Sequence, residues 1–137
     1  MNLLRLEAGS DLPRWIEALE RQVFGDTWGP LEASEVLWAL PELAYARWHR
    51  CPETGEGELL RIAVSPEARG QGLGRRLLQE GQQALAASGI RVLYLEVRPS
   101  NTTARTLYAS EGWREIGLRP RYYRDGEAAV LYRWDAP

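Results

Sequence analysis

The stretch from Leu59 to Arg76, LLRIAVSPEARGQGLGRR, constrains the fold of this chain more than any other. An apolar run that ends at Val64 predicts a strand, and a Ser-Pro pair stops it. Three glycines follow at alternate positions with arginines on both sides, and apolar residues from Leu73 onward recur at helical spacing. A strand, a glycine-rich loop and a helix N-terminus together favour phosphate binding, because exposed N–H groups and the helix dipole face the anion. The glycines are Gly70, Gly72 and Gly74, and the arginines are Arg69, Arg75 and Arg76.

Two common phosphate-binding loops do not fit the spacing. A dinucleotide fingerprint that begins at Gly70 needs its last glycine where Arg75 stands. The loop that binds nucleoside triphosphates needs a Gly-Lys pair, and this sequence has no lysine. What remains is Arg69-x-x-Gly72-x-Gly74 directly after a strand. A glycine turn that only begins a helix is the alternative, and it leaves the flanking arginines without a role.

Composition limits the classes of protein to which the chain can belong. Its 137 residues are enough for one domain, predicted over 1–137, but not for two. The formal net charge of −2 argues against a general affinity for nucleic acid or an anionic membrane. All 17 basic residues are arginine, which excludes a lysine Schiff base and a lysine general base.

The rare chemistry-bearing residues indicate no metal site and no disulfide. Cys51 is the single cysteine and His49 the single histidine, so neither a disulfide nor a metal cluster is predicted. His49-x-Cys51 could be a base and a nucleophile, but the end of a strand that runs into a polar loop is the preferred interpretation. The N-terminus is too polar for a signal peptide and no apolar run reaches a membrane span, which predicts a cytoplasmic protein.

Hydrophobic patterning predicts strands and helices that alternate in the centre of the chain, with hairpins at both ends. We expect Ser10-Asp11 to cap a first helix, and Ser100 or Asn101 to cap the last one. Asp125-Gly126 predicts a two-residue hairpin turn. This order favours an α/β fold (α+β, mixed sheet) with about seven strands and helices on both faces. Strands are predicted at 2–6, 36–40, 43–48, 58–64, 91–97, 113–118 and 128–134.

A second motif lies between residues 95 and 113. It consists of a strand-end Glu96, then Asn101, a Leu-Tyr pair that ends at Tyr108, and Gly112-Trp113. With the glycine loop, Arg119 and the run Tyr-Tyr-x-x-Gly-Glu from 122 to 127, this pattern resembles the GNAT superfamily of N-acetyltransferases, and within it the bacterial RimI group. The match covers about residues 58–134, and the earlier part of the chain adds only a compatible order of elements.

The resemblance implies an acetyl-coenzyme A-dependent enzyme that acetylates a protein N-terminus, in the RimI group that of a small-subunit ribosomal protein. It implies Glu96 as general base and Tyr108 as general acid, with Tyr123 on a loop that grips the incoming peptide. It implies that Asn101 contacts the far arm of the cofactor. The cradle residues for pantetheine and pyrophosphate are then Ile62, Ala63, Val64, Arg69, Gly70, Gln71, Gly72, Leu73, Gly74 and Arg75.

Elementary chemistry is consistent with these roles. An ammonium cannot attack a thioester, and an α-amino group, with a pKa near ~8, loses its proton more easily than a lysine side chain near ~10.4. A carboxylate such as Glu96 can accept that proton, and a phenol such as Tyr108 can protonate the departing thiolate. Each residue also has a structural alternative, since Tyr108 could be core and Glu96 a buried partner for an arginine.

Three functional hypotheses stay open at this point. The first is transfer to a protein N-terminus by direct transfer in a ternary complex. The second is transfer to a small amine, such as a polyamine, an amino acid or an aminoglycoside. The third is a non-catalytic protein, either an acyl-coenzyme A sensor without turnover or a partner subunit. The acidic pair that often follows the loop glycine in relatives is incomplete here, at Glu127-Ala128, which weakens the assignment of the acceptor.

Overall fold

The computed structural model describes residues 3–137 of the chain, which form one mixed sheet with helices on both faces. The strands run in the order β1-β2-β3-β4-β5-β7-β6, and the pair β4–β5 is the parallel one among antiparallel neighbours. Strands are β1 Leu4–Glu7, β2 Glu35–Leu40, β3 Ala44–Cys51, β4 Glu56–Val64, β5 Val92–Val97, β6 Arg114–Arg119 and β7 Ala129–Asp135, and α-helices are α1 Arg14–Phe24, α2 Leu73–Ala87 and α3 Thr102–Ser110.

The sheet buries two separate apolar layers, one on each face. On one face, α1 packs Ile16 and Leu19 against Leu37 and Tyr45 of β2 and β3. On the opposite face, α2 and α3 cover a larger cluster that extends across the sheet to β7. We call these faces the α1 side and the α2 side. The fold class, with its seven-stranded mixed sheet and helices on both faces, is confirmed.

Two local predictions are wrong. The first helix begins at Arg14 after Pro13, without a side-chain cap, because the fixed φ of proline is compatible with a helix start and Ser10 lies in the preceding turn. Asp125-Gly126 does not form a two-residue hairpin, because β6 ends at Arg119 and β7 begins at Ala129. The pair instead forms a local turn, with Gly126 donating to Tyr123, inside a long loop over residues 120–128.

The remaining boundaries differ from the predictions by a few residues. β1 begins at Leu4, and the predicted start at Asn2 lies outside the described residues. β3 extends to Cys51, so His49 and Cys51 form the end of a strand, as preferred above. Asn101 is the residue that caps α3, since its side chain accepts a hydrogen bond from the backbone N–H of Ala104. Within residues 3–137, no helix has the length and apolar composition needed to cross a bilayer.

Candidate functional site

The centre of the candidate site is an opening between β4 and β5. Their parallel ladder joins residues 56–58 to residues 92–94 and ends there. Beyond it, β4 stays paired with β3 as far as Val64, and β5 stays paired with β7 as far as Val97. In the described part of the chain, the edge of residues 62–64 that faces β5 therefore has no strand partner. Backbone N–H and C=O groups on this edge can bind a ligand, although the Val64 carbonyl oxygen also accepts from Arg69.

A bulge in β4 determines which side chains face the α1 side next to this opening. The register pairs Arg47 with Arg61 and Trp48 with Leu59, so that Leu60 is the extra residue. Without a bulge, two residues three apart would point to opposite faces. With it, Glu58 and Arg61 both face the α1 side.

The glycine loop has the backbone conformation expected of an anion cradle. Gly70 and Gly72 lie in the left-handed region, with φ of 80° and 77°. No atom lies within 4 Å of the position that a Cβ would occupy on either glycine, so space is open above the backbone. Gly72 is the N-cap of α2 and no side chain caps this helix, which leaves the first-turn N–H groups available. The loop therefore fits a pyrophosphate group on conformational and electrostatic grounds.

Two of the predicted cofactor residues carry side chains that are already engaged. Arg69 donates from Nε to the carbonyl oxygen of Val64 at 3.3 Å, which ties the loop to the end of β4. Arg75 donates to Ser110 Oγ at 2.9 Å and forms an ion pair with Glu111. The first turn of α2 is thereby joined to the end of α3. The side chain of Arg75 thus has a structural contact in addition to its predicted role.

The predicted base, Glu96, is partly buried at the end of β5 on the α1 side. Its side chain is 20% exposed, and Arg119 Nε lies 3.9 Å from its Oε1. Hydrogen bonding to the Glu96 carboxylate raises the pKa of the Tyr122 phenol, with partial burial adding to the shift. A half-buried carboxylate at the edge of the opening is reached by solvent and by a ligand.

A second carboxylate, Glu58, shares this face with Glu96 and was missed by the sequence analysis. Glu58 pairs with Tyr94 in the last rung of the β4–β5 ladder, and Tyr94 and Glu96 lie two residues apart on one strand. All three side chains therefore project from the α1 side. Burial, followed by the negative charge of Glu96, raises the pKa of Glu58. The run Gly-Glu-Leu-Leu contains a carboxylate among strand residues, and this is the signal that could have indicated it.

The predicted acid, Tyr108, is almost fully buried on the α2 side. Its ring packs at 6.0 Å from the Trp113 ring and 6.1 Å from the Tyr132 ring, measured between centroids. Burial raises the pKa of the Tyr108 phenol, and the neighbouring Tyr123 adds to the shift. Tyr108 is therefore protonated at neutral pH, as a proton donor must be.

Helix α3 lies beside the glycine loop and the end of β4. A Cβ built on Gly74 would lie 3.7 Å from side-chain atoms of both Leu107 and Val64. Tyr108 follows Leu107 directly and packs into the core on the α2 side. The two predicted catalytic residues therefore lie on opposite faces of the sheet, Glu96 on the α1 side and Tyr108 on the α2 side, on the helix that passes Gly74.

The loop over residues 120–128 is fastened to the end of β5. Arg98 Nη1 donates to Asp125 Oδ2 at 2.7 Å and to Glu127 Oε1 at 3.0 Å. The guanidinium of Arg98 stacks on the ring of Tyr123, 4.0 Å from its centroid, and Tyr122 contacts Tyr123 edge to face. Burial raises the pKa of Tyr123, although Arg98 opposes the shift. These contacts fix the two tyrosines beside Glu96.

A second loop, over residues 25–34, borders the α1 side from the direction of β3. Arg47 donates to the carbonyl oxygens of Gly29 and Pro30, both at 2.7 Å, and forms a buried ion pair with Glu35 at 2.6 Å. Arg61 pairs with Asp26 at 2.9 Å. The two arginines attach the loop to the sheet, so the surface around Glu58 and Glu96 is bounded on two sides.

Binding of a metal ion would need several ligating side chains placed together in the described part of the chain. Residues 3–137 contain no group of three or more His, Cys, Asp or Glu side chains placed to bind a metal ion. Cys51 donates to Glu53 at 3.4 Å.

Comparison with known proteins relates this geometry to one family. The model of the acetyltransferase (GNAT) family matches residues 13–113. The N-alpha-acetyltransferase RimI of Mycobacterium tuberculosis is 46% identical over 82 residues, which are 59% of this chain and 50% of that protein. The ribosomal protein bS18-alanine N-acetyltransferase of Escherichia coli K12 is 46% identical over 68 residues, which are 50% of this chain and 46% of that protein. The chain thus spans about half the length of these curated relatives.

Solved structures agree over almost the whole chain. The crystal structure of the ribosomal-protein-S18-alanine N-acetyltransferase from Escherichia coli has a TM-score of 0.74 and 27% identity, and the match covers 98% of this chain and 94% of that chain. The NatC complex bound to Gag peptide and CoA has a TM-score of 0.77 at 14% identity, with full coverage of both chains, which supports the fold alone.

Proposed function

Since the chain belongs to the GNAT family of acetyltransferases, we propose that it transfers the acetyl group of acetyl-coenzyme A to the α-amine of a protein N-terminus. One observation carries this proposal: the open edge of residues 62–64 leads into the glycine loop and faces the neighbouring strand β5, which carries Glu96. RimI relatives, which are named for acetylation of an N-terminal alanine in ribosomal protein bS18 or for Nα-acetylation, support the choice of acceptor.

The chain's own backbone fits the co-substrate. Residues 62–64 offer an unpaired strand edge to the pantetheine arm, and the left-handed glycines leave room for the pyrophosphate at the start of α2. Acetyl-coenzyme A supplies an activated thioester. Among the predicted ligands, Asn101 already caps α3 through its side-chain oxygen, so its amide nitrogen is the group that we expect to face the co-substrate.

On the α1 side, the acceptor must lose a proton before it reacts. Glu96 accepts that proton, directly or through one water, and then passes it to solvent, to which its carboxylate is open. Glu58, on the same face, holds the arriving ammonium together with Glu96, because two carboxylates attract a cation more strongly than one. An α-amine needs less help than a lysine side chain, because its ordinary pKa lies near ~8.

On the α2 side, the departing sulfur needs a proton or a hydrogen bond. Tyr108 is protonated at neutral pH, and in the described residues its hydroxyl makes no hydrogen bond to another side chain or backbone group. The hydroxyl is therefore free to donate to the sulfur. An N–H group on the open edge of residues 62–64 stabilises the developing negative charge on the carbonyl oxygen.

The test is acetyl transfer at pH 7.5 to a short peptide that copies the N-terminus of ribosomal protein bS18, beside the same peptide with a blocked α-amine. We expect acetylation of the free peptide only, with mass spectrometry placing the group on the first residue. A free peptide that stays unmodified, while spermidine or an amino acid is acetylated, would replace the acceptor in this proposal. Binding of acetyl-coenzyme A without turnover on any amine would indicate a sensor.

A further inference from the structure

Charged residues form two zones, one at the opening on the α1 side and one that starts beside it at Arg119 and continues into the loop after β6. Glu58 and Glu96 form the first zone, which we call the acidic floor. Arg119, Arg121 and Arg124 form the second, which we call the basic rim, and they lie at the end of β6 and in the following loop. All three arginines are exposed, and the side chain of Arg119 is 58% exposed.

The acidic residues of the same loop do not neutralise the rim. Asp125 and Glu127 are both bonded to Arg98, at 2.7 Å and 3.0 Å. Hydrogen bonds from Ser100 and Arg98 lower the pKa of Glu127, so the negative charge of Glu127 is stabilised by these two residues and not by the rim. In the described residues, Arg121 and Arg124 form no ion pair.

Arg119 has a weak contact that an acceptor would have to displace. Its Nε lies 3.9 Å from Glu96 Oε1, at the limit of an ion pair, and its guanidinium lies 5.8 Å from the centroid of Tyr122. An ammonium that binds Glu96 pairs with the carboxylate that Arg119 now contacts, and so replaces Arg119 in that contact. Arg119 is then free to pair with a carboxylate of the acceptor.

Arg121 adds an independent observation. Its φ of 54° lies in the left-handed region, which is costly for a residue with a side chain. A glycine or an asparagine would occupy this position with less strain. Arg121 therefore occupies a strained turn at the start of the loop that carries Tyr122 and Tyr123.

We infer that the acceptor is a peptide with acidic side chains at its second or third position, a specificity that rests on the proposed function. Its ammonium binds the acidic floor and its carboxylates bind the basic rim. Each extended residue spans roughly 3.3–3.6 Å, so a carboxylate on the second or third residue reaches Arg119 and the loop beyond it.

The test uses three peptides that differ only at positions two and three: Ala-Glu-Glu, Ala-Gln-Gln and Ala-Lys-Lys, each followed by the same neutral tail. We expect kcat/KM to fall in that order, with about a tenfold difference between the acidic and the basic peptide at low salt. The preference should shrink in 0.5 M NaCl because the charges lie at the surface.

Variants that remove positive charges identify which arginines cause the preference for acidic peptides. Arg119→Gln, and the double variant Arg121→Gln with Arg124→Gln, should each bring the ratio between the acidic and the neutral peptide toward one. Arg114→Gln, on the same edge but paired with Asp135, is the control and should keep the full ratio. Circular dichroism melts verify that each variant folds.

The outcomes separate this inference from the function on which it rests. Equal rates for all three peptides, or a preference for the basic one, would overturn the inference and leave N-terminal acetylation intact. A lack of transfer to every peptide, with transfer to a small amine, would overturn both.

Discussion

The two sides of the β4–β5 opening are built in different ways. On the α2 side, the candidate cofactor site consists of backbone from one continuous stretch, from the end of β4 to the first turn of α2. On the α1 side, the candidate acceptor site consists of side chains from β4, β5, β6 and the loop over residues 120–128. Sheet register brings these side chains together, and irregularities in the ladders of β4 and β6 determine which side chains of those strands face the acceptor.

Because the two sides are built differently, mutations on them should have different effects. A backbone cradle tolerates changes in its side chains as long as the glycine conformations persist, and its ligand is the same throughout the family. A side-chain site changes its ligand when one residue changes. We therefore expect mutations on the α1 side to alter the acceptor and the rate, and mutations in the glycine loop to alter co-substrate binding.

The largest effect should follow from Glu96→Gln, which removes the base and keeps the shape of the side chain. We expect kcat to fall by about 100-fold or more. The affinity for acetyl-coenzyme A, measured by calorimetry, should stay nearly unchanged, because Glu96 faces the other side of the opening. Glu115→Gln, an exposed carboxylate on β6, is the control. Wild-type turnover of the Glu96→Gln variant between pH 6 and 9 would remove Glu96 from the mechanism.

The next effect should come from Gly72→Asp, which tests the cradle. A side chain at a φ of 77° is strained, and its negative charge would face the pyrophosphate. We expect the Kd for acetyl-coenzyme A to rise by about tenfold or more, which corresponds to about 1.4 kcal/mol. Gly89→Asp is a matched control, because Gly89 also has a positive φ and open space but lies beyond the other end of α2. Equal losses of affinity in both variants would contradict the assignment of the cradle.

The strand, loop and helix of the candidate cofactor side could be predicted from the sequence because their determinants are local. The strand, the Ser-Pro stop, the glycines and the helix lie within one short stretch, and each has its own conformational signature. The mixed sheet with helices on both faces also followed from the alternation of elements, whereas the order of the strands in the sheet was not predicted. Asn101 could be assigned to a helix cap for the same reason.

The acceptor side could be predicted only in part because its determinants are distant in sequence. The bulge at Leu60 leaves no clear trace in the hydrophobic pattern, yet it turns Glu58 and Arg61 to one face. The Asp-Gly signal correctly indicated a turn, but the fastening of its loop by Arg98 could not be read from local propensity. Pairwise contacts of this kind depend on the finished fold.

A smaller effect is expected from Tyr108→Phe, which removes one hydroxyl and keeps the ring. We expect kcat to fall by about tenfold, less than the ~100-fold at the low end of general acid catalysis, because a thiolate is a good leaving group even without a proton. The melting temperature should change little, since the ring contacts with Trp113 and Tyr132 persist. Tyr132→Phe, in the same cluster but bonded to Arg105, should keep its kcat. Wild-type kcat in the Tyr108→Phe variant would make Tyr108 a core residue only.

The smallest effect concerns stability. It tests whether the negative charge of Glu58 destabilises the folded protein. Because burial and Glu96 raise its pKa in the folded state, the native protein binds this proton more tightly than the unfolded chain does. Stability from this group is therefore greatest below the unfolded value of about 4.3, and it declines as the pH rises through the folded value. Glu58→Gln removes that decline, so its melting temperature should exceed that of the wild type at pH 7 and match it more closely near pH 4.

The matched control for this last comparison is Glu56→Gln, an exposed carboxylate two residues earlier on the same strand. It should change the melting temperature little, because its side chain is exposed to solvent. A Glu58→Gln variant that is less stable than the wild type at pH 7 would mean that Glu58 is stabilised by its neighbours. The acidic floor would then be a structural ion cluster, and the acceptor side would lose the feature that distinguishes it from the backbone cradle on the other face.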